Sequence, residues 1–205
     1  MIKSIFFDFA GVLSKEYDIV GGYFVPYFNL SEEVLREMYR KGRDGELTFE
    51  EITQDIPKRK VFSYLEKSKL NKGATEALEE LSRHYKLYIA SNHLPGFFEI
   101  EIEYLGIKNY FTDFYISYRL KTHKPLKEFF NYMINESKIN PNEAIFVDDA
   151  LINLKTAGEL GMKTIWFNNK NNDKRNQITY KADFEVSDFR KLIEVLESIE
   201  LKSMK

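Results

Sequence analysis

Apolar residues gather along this chain in short unbroken runs, separated by stretches with a helical repeat. Ser4-Ile5-Phe6-Phe7, Leu87-Tyr88-Ile89-Ala90, Phe114-Tyr115-Ile116 and Ala144-Ile145-Phe146-Val147 are the clearest runs. Their length and continuity suit parallel strands covered on both faces. A fifth run, Thr164-Ile165-Trp166-Phe167, follows a segment that Gly161 closes, and a short sixth at Asp183 to Val186 precedes an amphipathic stretch reaching about Ile199. Between the runs, Ala77, Leu78 and Leu81 share one face of Ala74 to Arg83, and Phe129, Phe130, Met133 and Ile134 share one face of Pro125 to Lys138. Both read as helices, and the alternation predicts an α/β fold built on a parallel sheet.

Residues 15–70 break this rhythm, because they hold no convincing strand run and carry several helix signals. Ser31 before Glu32 and Glu33 reads as an N-cap with an acidic first turn, and Thr48 with Glu51 forms a capping-box pattern after the turn Arg43-Asp44-Gly45. The expectation is a small helical insertion after the first strand. The Asn-rich stretch Asn168 to Asn176 reads as a solvated loop.

Composition narrows the chemistry. The 205 residues suffice for one domain with a modest insertion. The absence of Cys removes disulfide frameworks, thiolate-bound metals and thiol nucleophiles at once. Lys and Arg total 30 against 32 Asp and Glu, a net charge of -2 that exerts no general pull toward nucleic acid or an anionic membrane. Asp8 interrupts the first apolar run, which argues against a signal peptide, and no run approaches the length of a membrane span. A soluble, cytoplasmic protein is expected; oligomeric state is not legible.

Polar residues stand at the ends of the predicted strands. Asp8 follows the first, Ser91-Asn92 the second and Asp148-Asp149 the fourth, while Lys124 precedes the Pro125 segment. Ligands of open parallel sheets bind beyond the carboxyl ends of the strands, so these groups converge on one crevice. Three carboxylates there require a cation, and hard oxygen donors suit Mg²⁺. Lys and Ser beside them suit a phosphoryl group.

Phe7-Asp8-Phe9-Ala10-Gly11-Val12-Leu13, Ile89-Ala90-Ser91-Asn92, Lys124-Pro125 and Phe146-Val147-Asp148-Asp149, in that order, resemble the motifs of the haloacid-dehalogenase-like hydrolases with a helical cap. The resemblance implies a Rossmann-like core of residues 1–14 and 71–205, with an all-α cap at 15–70. It implies Asp8 as a nucleophile that forms an aspartyl-phosphate, with Ser91 and Lys124 contacting phosphate and Asn92 helping to close the substrate loop. Mg²⁺ would be held by Asp8, the backbone carbonyl of Ala10 and Asp148, with Asp149 acting through water or as an orienting group. A small phosphorylated metabolite, first of all a sugar phosphate, would be the substrate. Tyr17, Tyr39 and Arg43 are the cap's candidates for contacting it.

Ala10 departs from the pattern, since a second Asp usually stands there as general acid and base. Such help is worth ~10²–10⁴-fold in rate. His93 and His123 neighbour motif residues and are possible substitute donors. Other readings stay open at this point: a weakly active phosphate-ester binder, a phosphonate-cleaving relative using a cap lysine, and a phosphoacceptor signalling module. The module would place the acidic pair first, whereas here it comes last.

Overall fold

A computed structural model of the chain describes residues 1–15, 19–26, 28, 30–57, 60–168 and 176–203, without the side chains of 202 and 203. Six strands form one parallel sheet: β1 (Ser4–Phe7), β2 (Lys86–Ser91), β3 (Asp113–Ile116), β4 (Ala144–Asp148), β5 (Lys163–Phe167) and β6 (Phe184–Val186). Their spatial order is β3-β2-β1-β4-β5-β6. Register aligns Phe7 of β1 with Ile89 of β2 and Val147 of β4, so these three strands end side by side.

Successive strand residues point to opposite faces, and both faces here are apolar. Ile5, Phe7, Ile89, Ile145 and Val147 enter one buried layer, which is covered by α3 (Ala74–Leu81), α4 (Phe97–Tyr104) and α8 (Phe189–Ser203). Phe6, Tyr88, Ala90 and Phe146 enter the other, covered by α6 (Lys127–Ser137) and α7 (Leu151–Glu159). Phe6 stacks on Tyr88 with ring centroids 4.7 Å apart, and Phe130 meets Phe146 at 5.2 Å. Gly161 has φ +94°, a conformation that closes α7 and turns the chain into β5.

The segment after β1 is helical. A wide turn at Val20–Phe24 leads to α1 (Glu32–Arg43) and α2 (Phe49–Thr53). Ser31 Oγ accepts from the Val34 N–H, and Thr48 with Glu51 forms a reciprocal capping box. Both ends of this segment meet beside the sheet: Ser14 and Leu70 pair as an antiparallel bridge, and the Asn71 amide donates to the Val12 carbonyl at 2.7 Å. The segment's apolar side chains form their own cluster, including Val20, Phe24, Leu35, Ile52 and Tyr64, joined by Leu94 and Phe97 from the main fold.

Two features differ from the sequence pattern. The helix expected from Pro125 begins at Lys127, because Leu126 is extended (φ −62°, ψ 135°) and acts as its cap. The helix α4 and the single turn α5 (Ser117–Leu120) were not predicted by the periodicity. Tyr17 and most of the Asn-rich stretch lie outside the described residues. Among the described residues, no helix is long and apolar enough to cross a membrane.

Candidate active site

The side-by-side ends of β1 and β4 deliver three carboxylates to one point. Asp8, Asp148 and Asp149 are buried, and each offers an oxygen within 4.8 Å of the others. Lys124 is buried among them, with Nζ 2.9 Å from Asp8 Oδ1 and 2.7 Å from Asp148 Oδ2. Asp148 is held further by the Ala150 N–H at 2.8 Å and by the Asn153 amide, which donates at 3.0 and 3.1 Å to its two oxygens. The Phe9 N–H donates to Asp8 Oδ1 at 2.6 Å.

Burial pushes the Asp148 carboxyl up; the Lys124 ammonium only partly offsets this, and the neighbouring Asp8 carboxylate adds to it, leaving Asp148 at about 6. Burial by itself would lower Lys124, yet the charges of Asp148 and Asp8 outweigh it and hold the ammonium above its ordinary value. Three carboxylates against one ammonium leave a surplus of two negative charges in a water-poor space. A divalent cation that prefers oxygen balances that surplus, so the donor set fits Mg²⁺.

Backbone geometry makes room for this cluster. At Gly11 φ is +91°, and a Cβ there would lie 2.5 Å from Asp149 Oδ2. Only a residue without a side chain satisfies both conditions. On the other side, the Asn92 amide grips the Lys124 backbone twice: its Nδ2 donates to the Lys124 carbonyl and its Oδ1 accepts from the Lys124 N–H, each at 2.9 Å. Asn92 thus positions Lys124, spending its own polar groups on that task. Ser91 is buried at the end of β2 beside them. Lys124 itself stands three residues before the first residue of α6, so its ammonium reaches the carboxylates from a loop and not from a helix start.

A cleft opens next to Ala10, between the strand ends and the helical segment. Tyr39 lines it. Arg43 does not; its guanidinium binds both oxygens of the adjacent Asp44 at 2.8 Å. His93 also lines the cleft, with Nδ1 accepting from the Leu94 N–H at 2.9 Å and Nε2 3.2 Å from Glu101 Oε2. Both ring nitrogens are engaged. His123 has Nδ1 3.2 Å from the Lys124 carbonyl and Nε2 3.8 Å from Asp44 Oδ1.

Three residues at the site escaped the sequence reading. Asn153 sits on the apolar side of α7 between Leu151 and Leu154, where a buried polar side chain demands a partner. Glu101 and Ser68 hydrogen-bond to each other at the back of the cleft. The signal for Asn153 was its place on an apolar face; nothing in the sequence pairs Ser68 with Glu101, 33 positions away.

Residues 5–167 match the family model of the haloacid dehalogenase-like hydrolases. A D-ribitol-5-phosphate phosphatase of Bacteroides thetaiotaomicron is 28% identical over 189 residues, covering 80% of this chain and 91% of that protein. A haloacid-dehalogenase-family enzyme from the same bacterium, crystallised with magnesium and inorganic phosphate, superposes with a TM-score of 0.71 at 21% identity, covering 87% of this chain and all of the other. A phosphatase of the family from Thermococcus onnurineus also gives 0.71 at 21% identity, with 95% of this chain and 98% of its own covered. At these identities the structural likenesses bear on the fold.

Proposed function

This chain belongs to the haloacid dehalogenase-like hydrolases, and from that premise we propose that it is a Mg²⁺-dependent phosphatase acting on a small polyhydroxy metabolite such as a sugar or sugar-alcohol phosphate. The observation that carries the reading is the convergence of Asp8, Asp148 and Asp149 on Lys124 at adjoining strand ends. The phosphatase relative, matched over most of both chains, supports the choice of a phosphorylated polyol.

In this reading Asp8 attacks phosphorus, so that a carboxylate O–P bond forms as the ester P–O bond breaks; water then cleaves the aspartyl-phosphate and restores Asp8. Lys124 neutralises charge on the phosphoryl oxygens and on Asp8, and Ser91 donates to one of those oxygens. Asp8, Asp148, the Ala10 carbonyl and Asp149 would hold Mg²⁺, which supplies further charge neutralisation when bound. Residues 15–70 act as a cap over the cleft, and water is excluded when it closes.

Ala10 brings no proton to the departing alkoxide. His93 does not replace the missing acid, since Nδ1 takes a hydrogen bond from the Leu94 backbone and Nε2 faces Glu101. Turnover of alkyl esters is therefore slow, and weak turnover with retained phosphate-ester binding is the second reading that Ala10 favours. A panel of sugar phosphates, nucleotides and phosphonates, assayed with Mg²⁺ against an Asp8→Asn control, tests both. Hydrolysis that survives Asp8→Asn, or that is undiminished in EDTA, refutes the phosphatase reading.

A further inference from the structure

The cleft beside Ala10 contains a carboxylate that the chemistry at Asp8 does not use. Glu101 comes from α4, and its side chain is 13% exposed. One of its oxygens accepts from the Ser68 hydroxyl, and the other lies 3.2 Å from His93 Nε2. Because the Leu94 N–H donates to His93 Nδ1, that nitrogen carries no proton, and Nε2 is the N–H that faces Glu101. The carboxylate thus meets a hydroxyl on one oxygen and a ring N–H on the other.

A carboxylate has about four acceptor sites, and Ser68 and His93 use two. Such a group, largely shielded from water, favours a ligand that brings another hydrogen-bond donor and disfavours one that brings negative charge. Ser14 and Tyr39 add hydroxyls to the same cleft, and Lys15 lines it from an exposed position. That ammonium disfavours a cationic alcohol. We propose that Glu101, oriented by Ser68 and His93, is the specificity-determining residue for the alcohol half of the substrate, selecting a neutral polyhydroxy alcohol by accepting a hydrogen bond from one of its hydroxyls. The inference rests on the phosphate-ester reading above. It assigns the choice of substrate to a helix packed on the sheet, outside the inserted segment.

The test compares kcat/KM for a pentitol phosphate with that for pentyl phosphate, which has the same carbon chain without the hydroxyls. Wild-type protein favours the pentitol ester. In Glu101→Gln the ratio falls about 10- to 100-fold, the range for a hydrogen bond to a charged acceptor, and Ser68→Ala lowers it less. Thermal melts establish that each variant is folded; should Glu101→Gln fail to fold, Glu101→Asp and Ser68→Ala carry the comparison. Calorimetric affinities for the two esters in an Asp8→Asn background read the same preference without turnover. An absence of all hydrolysis thus counts against the phosphatase reading, while the affinity ratio still decides the role of Glu101. A ratio unchanged in the variants, or ethanolamine phosphate preferred to the pentitol ester, overturns the proposal.

Discussion

Replacing Lys124 by Met preserves the length of the side chain and deletes its charge. In the folded protein that charge sits 2.9 Å from Asp8 and 2.7 Å from Asp148, shielded from water. At an effective dielectric of about 20, each contact is worth about 6 kcal/mol of attraction, and desolvation of the ammonium consumes a large part of it. Removing one partner from a buried ion pair costs about 3–5 kcal/mol, because the remaining charges are left uncompensated. Lys124→Met should therefore destabilise the metal-free protein by about that amount near pH 8, a fall in melting temperature of about 6–20 °C for a domain of this size. Two further results are expected. Lowering the pH to 5 should shrink the loss, since Asp148 takes up a proton, and millimolar Mg²⁺ should stabilise the variant more than wild type. Lys127→Ala is the control, because Lys127 meets Glu159 in solvent with both side chains well exposed, and its loss should fall within error. Urea unfolding at both pH values, with and without Mg²⁺, measures all of this. A Lys124→Met protein as stable as Lys127→Ala, or one that Mg²⁺ helps no more than wild type, refutes the charge balance drawn from the structure.

Asp148, raised to about 6 by burial in the metal-free protein, makes Mg²⁺ affinity depend on pH. The proton and the metal compete for the same carboxylate, so the apparent affinity should fall about tenfold per unit below pH 6, which calorimetry in several buffers will show. The sign for stability follows: a carboxyl whose folded value lies above its unfolded one stabilises the fold below pH 3.8 and loses that contribution as the pH rises through 6. The two-unit difference corresponds to about 3 kcal/mol, which bound Mg²⁺ should cancel. Gly11→Ala forces a Cβ within 2.5 Å of Asp149 Oδ2 at a φ of +91°; a loss of about 1–2 kcal/mol in stability and about 10- to 100-fold in Mg²⁺ affinity is expected from melts and titrations. Ala10→Asp should speed alkyl ester cleavage by up to ~10²-fold and p-nitrophenyl phosphate far less, because nitrophenolate leaves without a proton. Equal effects on both esters would show that protonation is not what Ala10 lacks.

The sheet was legible because its strands are covered on both faces, which leaves short continuous apolar runs whose ends match the observed strands within about a residue. The same property exposed the site: a polar residue that ends such a run has nowhere to go but the crevice, as Asp8 and Asp148 show. α4 was hidden by its own alternation. Phe97-Phe98-Glu99-Ile100-Glu101-Ile102-Glu103 repeats with a strand-like period of two at its end, yet it is a helix that buries Phe97, Phe98 and Ile102. Glu101 consequently had no predicted face. The pairing of Arg43 was hidden for a different reason: its partner is the next residue, Asp44, and a pairing so local leaves no periodic trace.

The ring of Phe97 projects from α4 into the aromatic cluster of the inserted segment, meeting Tyr64 at 5.0 Å, Phe49 at 5.3 Å and Phe24 at 6.0 Å between centroids. In mechanical terms it is a pin through the two parts. Lifting the insertion clear of the sheet would drag those rings off Phe97 and wet them, whereas a rotation about the pin keeps the contact while the edges of the cleft part. The bridge between Ser14 and Leu70 tethers the insertion at a second point, so the line from that bridge to Phe97 is the axis such a rotation would follow. Were the cleft to open in that way, the angle between open and shut would be set by two fixed points and not by the length of the chain between them.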